Sequence, residues 1–302
     1  MITIYIKELK KDDKIDALEK VPKFLHKILI NITKKTNNFY INTIDEDKKV
    51  YLIVNTKNKN TYKNIIKKLK NEKTRTQKIQ IVLEDNLKEN VNYFNEFKIL
   101  DGKEFMNNNV NKILEKILEN IPIALQDVFI LTNKYNESSI RLIKNIGQEF
   151  KSVNVISKEI ERYNMLEDIL ENETIVFSIA NNKRKSLKKA KIIVNMDFTK
   201  EQLQEYNIYR NAIIINLNKE KITNLKGFEG IIVQNVEIEL EDTEKEIFKE
   251  NNILDGFKKV ELYESINPIK EMGKIQEIYG NNGKIDKKEL INVRKILTNI
   301  KN

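Results

Sequence analysis

The sequence has no cysteine and no tryptophan, one histidine, three prolines and eight glycines in 302 residues. Without cysteine there is no disulfide, no thiolate ligand for zinc or an iron–sulfur cluster, and no thiol nucleophile. Any imidazole-based metal site or serine triad rests on His26 alone, which sits on an apolar-patterned stretch and reads as a structural residue. Glycine and proline are too scarce for a collagen-like, glycine/serine-linker or proline-rich protein. No apolar run approaches the roughly 20 residues that span a bilayer. The opening MITIYIKELKKDD lacks the basic start and apolar core of a signal peptide. A cytoplasmic protein with no membrane association and no metal is therefore expected.

What is present is charge on an adequate core. Hydrophobic residues make 40% and charged residues 33%, with 54 Lys+Arg against 45 Asp+Glu and a net charge of +9. At about 100–200 residues per domain the length allows two domains. Lysine, asparagine and isoleucine are abundant throughout, so much of the positive charge reads as solvated surface. Two clusters rise above that background. Residues 57–78 carry nine Lys/Arg and one acid, Glu72, and residues 183–191 carry six positive charges and no acid.

Hydrophobic periodicity divides the chain into four parts. In 1–86 the order is strand (2–8), helix (13–35), hairpin (39–44 and 50–54), basic helix (60–73) and strand (79–83), which is the βαββαβ order of a ferredoxin-like unit. Residues 87–124 read as a helical linking segment with Ile113, Leu114, Ile117 and Leu118 on one stripe. Residues 125–240 alternate apolar strands (128–132, 153–157, 174–180, 191–196, 212–217, 230–236) with short helices (137–150, 159–171, 184–190, 199–206). Strands of this kind imply a parallel, doubly wound, Rossmann-like α/β domain. Residues 241–302 form a charged helical tail with breakers at Asp255-Gly256, Asn267-Pro268 and Asn281-Asn282-Gly283.

Three stretches carry a family resemblance: NNFYINTIDEDKKVYLIV (37–54), FKILDGKEFMNNNVNKI (97–113) and AIIINLNKEKITNLKGFEGIIVQNVEIEL (212–240). In order and spacing, over about residues 1–240, the chain resembles glutamyl-tRNA reductase, the NADPH-dependent enzyme that starts tetrapyrrole synthesis. In that family a cysteine thiolate attacks the glutamyl ester on tRNA and hydride reduces the thioester. Here Thr43 matches the motif's threonine, but its cysteine falls on Ile44, its asparagine on Asp45 and its arginine on Glu46. An aliphatic side chain forms no covalent intermediate, and Glu46 repels a carboxylate that an arginine would hold. The Thr43 hydroxyl is the one remaining nucleophile of the motif, without a visible basic partner.

The cofactor turn departs as well. The glycine-rich turn expected after the first Rossmann strand reads Thr132-Asn133-Lys134-Tyr135-Asn136-Glu137, without a glycine. Two readings stay open there: a plain strand-to-helix turn capped by Asn136 or Ser138, or an altered anion seat. Candidate anion holders are Ser138, Lys158 and the run Asn181, Asn182, Lys183, Arg184 and Lys185, which lies at the carboxyl edge where doubly wound sheets bind ligands. On the basic helix, Lys63, Lys67, Lys70 and Arg75 are candidates for a phosphate backbone.

Three functional readings follow. The first is a catalytically inactive glutamyl-tRNA reductase-like protein, a pseudoenzyme that needs no cofactor. It would act as a binding or regulatory module tied to tetrapyrrole biosynthesis, with a homodimer mate, tRNA or a pathway enzyme as partner. The second is an active NAD(P)H-dependent reductase using Asn195 and Asp197 at a strand end, with Lys183 or Lys185 holding an anion. The third is a basic tRNA- or RNA-binding protein.

Overall fold

Ile2, Ile4 and Ile6 alternate with Thr3, Tyr5 and Lys7, and both sets are buried, so the first strand, β1 (Ile2–Glu8), runs inside a sheet covered on two faces. The computed structural model describes residues 1–10, 39–45, 47–53, 56–72, 78–239, 242–250, 253, 255–266 and 275–298. It forms two units: Met1–Gly102 with Leu240–Pro268, and Lys103–Glu239 with Ile269–Asn302. His26, Glu46 and Arg75 lie outside the described residues.

In the first unit β1 is joined by β2 (Phe39–Asp45), β3 (Lys48–Ile53), β4 (Ile79–Leu83) and β5 (Lys98–Ile99) in the order β2-β3-β1-β4-β5. Helix α1 (Lys59–Glu72) buries Tyr62, Ile65 and Leu69 against Ile4, Ile6 and Ile81 on one face. On the other face the Tyr5 ring meets Phe248 and Phe257 edge-on at 6.0 and 6.1 Å, and its hydroxyl lies 2.8 Å from Ser265 Oγ. The aromatic contacts and hydrogen bond fix the helices Asp242–Glu250 and Lys259–Ile266 to this sheet.

The ferredoxin-like expectation is corrected here. Its strand order is present, but β1 runs parallel to both β3 and β4, β4 is parallel to β5, and the β2/β3 hairpin alone is antiparallel. A ferredoxin-like sheet reverses direction at every neighbour. Apolar runs announce strands without announcing direction, which depends on the side from which each connection returns. Gly102 closes this unit at φ +79°, where a Cβ would lie 2.7 Å from the Val260 side chain.

The expected continuous helix over 87–124 is also interrupted. Asp85–Phe94 is a 3₁₀ helix, β5 follows, and α2 (Lys103–Asn108) and α3 (Val110–Leu118) are separate, divided at Asn109. The stripe Ile113, Leu114, Ile117 and Leu118 is buried as its spacing implies.

The second unit holds the Rossmann-like sheet: β6 (Asp127–Leu131), β7 (Ser152–Ile156), β8 (Phe177–Ala180), β9 (Ile192–Asn195), β10 (Ile213–Asn216) and β11 (Ile231–Val233). Their order is β11-β10-β9-β6-β7-β8, all parallel, with the chain reversing direction across the sheet between β6 and β9. This is a doubly wound α/β sheet with its crevice at the carboxyl ends of β6 and β9. Helix α4 (Glu137–Glu149) follows β6, and α5 (Ile160–Asn164) and α6 (Glu167–Asn172) replace the single helix expected after β7.

Two further expectations change. Residues 183–189 are turns, not a helix. Five positive charges with no acid among them supply no i,i+4 pairing, and Leu187 is the run's one large apolar anchor. The run 230–236 splits at Gln234: β11 stays in the parallel sheet, while β12 (Asn235–Ile238) pairs antiparallel with β13 (Ile275–Gly280), which pairs with β14 (Gly283–Lys284). The tail is thus part sheet, ending in the helix Lys287–Thr298. Among the described residues no helix is long and apolar enough to cross a membrane, and no cluster of three metal-ligating side chains occurs.

Candidate functional site

The carboxyl edge of the second sheet is where a ligand would meet backbone ends and helix N-termini. Its centre is the turn from β6 to α4. Asn136 caps α4 through Oδ1, which accepts from Ser139 N at 2.9 Å, while Ser139 Oγ accepts from Asn136 N at 3.1 Å. The cap removes one of the amides an incoming phosphate would use.

The rest of the turn is bonded on both sides. Asn133 N donates to Asp197 Oδ1 at 2.6 Å, and its side-chain amide pairs with Gln202 at 3.1 and 3.3 Å. Tyr135 N donates to Glu159 Oε2 at 3.2 Å. The Tyr163 hydroxyl reaches Lys134 O at 2.8 Å and Ser139 Oγ at 2.9 Å, and its ring stands edge-on to Tyr135. Gln202 is itself fixed by a capping box with Thr199 at the start of α7 (Lys200–Gln204). Burial pushes the Asp197 carboxyl above its usual range, against the opposing pull of Asn133 and the nearby Lys134.

Beside the turn, the ends of β9, β10 and β11 are joined by side-chain amides. Asn195 Nδ2 donates to Asn216 Oδ1 at 2.9 Å, Asn216 Nδ2 to Gln234 Oε1 at 2.9 Å, and Gln234 Nε2 to Asn281 Oδ1 at 2.8 Å. Asn195 also accepts from Phe198 N and donates to Phe198 O, so both sides of its buried amide are engaged. Lys103, at the start of α2, donates to Asn216 O at 2.7 Å and Gln234 O at 2.8 Å, satisfying carbonyls the parallel sheet leaves at its edge.

An open cavity of about 540 Å³ adjoins α4 on the side of α2, with Lys103, Asn107, Ser138 and Arg141 on its walls and Met196 and Leu217 beneath. Asn107 Nδ2 donates to Ser138 Oγ at 2.7 Å, and the buried Asn107 Oδ1 has no hydrogen-bond partner among the described residues. Arg141 is exposed and forms no ion pair among the described residues.

The sequence-derived candidates are scattered by comparison. Ser138 lies on the cavity. Lys158 is exposed, and Asn181 Oδ1 accepts from the Tyr206 hydroxyl at 3.0 Å. Asn182 Oδ1 accepts from the backbone of Arg184 and Lys185, each at 3.0 Å, so this asparagine builds its own turn. Lys183 is ion-paired with Glu205, and Arg184 and Lys185 point to solvent. With no helix beginning there, no dipole acts on these cations. Asn195 and Asp197, read as reductase candidates, are engaged in the amide chain and in the clasp on Asn133.

In the first unit Ile44 falls at a register shift of the β2/β3 hairpin, between Thr43 and Asp45. Lys63 and Lys67 are exposed on α1, while Lys70 pairs with Glu96 at 2.7 Å. Lys103, Asn107 and Arg141 were not singled out from sequence. The triple Asn107-Asn108-Asn109, three amides interrupting an apolar helical stretch, was the one available signal.

No family model matches the chain, and no curated protein matches it. Among solved structures it is similar to L-tryptophan dehydrogenase from Nostoc punctiforme, at 8% identity over 89% of this chain and 79% of that one with a TM-score of 0.34. Ornithine carbamoyltransferase from Pyrococcus furiosus gives 9% identity, 71% of each chain and a TM-score of 0.28. A putative D-3-phosphoglycerate dehydrogenase from Ralstonia solanacearum gives 10%, 73% and 75%, and 0.29. Similarity at this level carries no conclusion about fold or activity.

Proposed function

We propose that this chain is a non-catalytic binding protein on a glutamyl-tRNA reductase-like frame, a regulatory or binding module linked to tetrapyrrole biosynthesis. The observation that carries the reading is the β6–α4 turn. A dinucleotide diphosphate needs glycines for close approach and free amides to receive it. Thr132–Glu137 has no glycine, and the amides of Asn133, Tyr135, Asn136 and Ser139 are already bonded to Asp197, Glu159, Ser139 and Asn136. The residues present do not fit the diphosphate, so no hydride step is derived. Ile44 at the position of the family's cysteine supports the same reading, since it offers no nucleophile.

Isothermal titration of the full chain with NADPH tests it, alongside an assay for reduction of glutamyl-tRNA. The expected result is no saturable heat at millimolar NADPH and no aldehyde product. Saturable NADPH binding, or turnover of glutamyl-tRNA, overturns it.

One observation favours a second reading, an NAD(P)H-dependent reductase: the cavity beside α4 lies at the carboxyl edge and carries Lys103 and Arg141. That reading requires NADP(H) to enter without the turn. Protection of Arg141 from arginine-selective modification by NADPH would support it.

A further inference from the structure

In the second sheet the last strand of the order, β8, is paired on its β7 side alone among the described residues. Val153 N donates to Val176 O at 2.9 Å and Ser157 N to Ala180 O at 3.3 Å, so the even-numbered residues turn their backbone groups toward β7. By the alternation of a strand, the N–H and C=O groups of Phe177 and Ile179 face outward. We propose that this edge is a homodimer interface, in which β8 pairs antiparallel with β8 of a second copy and the two sheets become one.

The edge lacks the usual protection. Charge, proline or a bulge commonly blunts an exposed edge strand, whereas β8 reads FSIA in unbroken register with β7. Val176, just before the strand, is 63% exposed. Met165 and Ile169, on the segment of α5 and α6 that packs against β8, are 65% and 47% exposed. Half of the six large apolar side chains exposed among the described residues thus surround one strand, as at a surface that a protein partner covers.

Charge selects a second copy as that partner. Residues 167–173, before β8, hold four acids and no base, and residues 183–191, after it, hold six positive charges and no acid. Glu171 and Lys185 are exposed on these two runs, and neither is ion-paired among the described residues. Antiparallel self-pairing brings the acidic run of each copy to the basic run of the other, at both ends of the interface. Parallel pairing sets like against like, and a partner of one sign, such as RNA, is repelled at one end. Pairing of an edge with itself is isologous and closes at two copies. The opposite edge, β11, is three residues long and has β13 against it, so it offers no second strand of this kind.

This inference goes beyond the binding-module reading and uses neither the β6–α4 turn nor the cavity beside it. NADPH binding would sink that reading and leave the edge untouched, whereas a monomeric chain would do the reverse.

The test is sedimentation velocity of the full chain at about 1–300 μM. A monomer–dimer equilibrium with a Kd of about 10 μM is expected at low salt. Ile179→Pro removes an outward N–H, and Ser178→Lys sets like charges against each other across the two-fold axis. Each is expected to weaken the dimer by about ten-fold or more. Circular dichroism verifies their folding, and Ser178, being exposed, carries the test if the proline disturbs the monomer. Glu171→Lys and Lys185→Glu should each weaken association as well, while an equimolar mixture of the two restores it, because opposite signs then meet again at both ends. The proposal is overturned by any one of three results: a monomer up to about 300 μM, parental association in Ser178→Lys, or a mixture that associates no better than its two components alone.

Discussion

The two sides of the α4 N-terminus teach opposite lessons. On the turn from β6, backbone amides and side chains answer one another: Asn133 with Asp197 and Gln202, Tyr135 with Glu159, Lys134 with Tyr163. On the α2 side a buried amide oxygen goes unanswered and an arginine stands unpaired by any acid among the described residues. Satisfied polar groups hold a fold together, and a buried one left unsatisfied weakens it. The turn where a Rossmann-like domain ordinarily takes diphosphate is here hydrogen-bonded within the chain, and an open cavity lies beside it.

That contrast can be broken by substitution. The largest effect is expected from Asn195→Ala, which strands Phe198 N inside the edge of the sheet and leaves Asn216 Oδ1 with the longer bond from Asn218 N at 3.3 Å. Urea unfolding should show a loss of about 2–4 kcal/mol. Asn133→Ala removes the side-chain pairing with Gln202 but keeps its own backbone bond to Asp197. A loss of about 1 kcal/mol is expected, with faster amide exchange confined to residues near 132–137.

Asp197→Asn keeps an acceptor for Asn133 N and removes the titration. Because burial raises the Asp197 value in the folded state, the native protein holds its proton more tightly than the unfolded chain. Stability of the parent should therefore fall relative to the variant as pH rises from the ordinary aspartate value toward the raised one. Parallel pH–stability curves for the two proteins would refute the buried clasp. Arg141→Ala, on the open side, should change stability by no more than about 0.5 kcal/mol, read by thermal melting. A loss as large as that of Asn195→Ala would mean that this side is structural too.

Much of the second sheet was legible in the residues. Continuous apolar runs such as 128–132 and 212–217 mark strands buried on both faces, and their alternation with short helices implies parallel order. The glycine-free turn and a cap at Asn136 or Ser138 were likewise visible as residue types at fixed places, and the fold uses Asn136. In the first unit the runs were equally clear, yet the direction of β1 against β3 and β4 was not. A run of alternating isoleucines is compatible with either direction. The same limit hid the site. Asp197 looked like a carboxylate at a strand end, open to catalysis, until Asn133 was found 2.6 Å away across the crevice. Lys183 looked like an anion holder until Glu205 neutralised it.

Residue order on its own settled that the core of the second sheet is built of apolar strands, that no thiol chemistry is available, and that no glycine relieves the turn after β6. Those follow from side-chain type and local periodicity, which act over a few neighbouring residues. Folding decided the direction of the first sheet, the pairing of Asn133 with Asp197, and the meeting of Asn107, Ser138 and Arg141 beside one cavity. Asn107 and Ser138 are 31 positions apart in the chain. No local rule carries information over such a separation; it arises only when packed elements bring distant polar atoms within hydrogen-bonding reach.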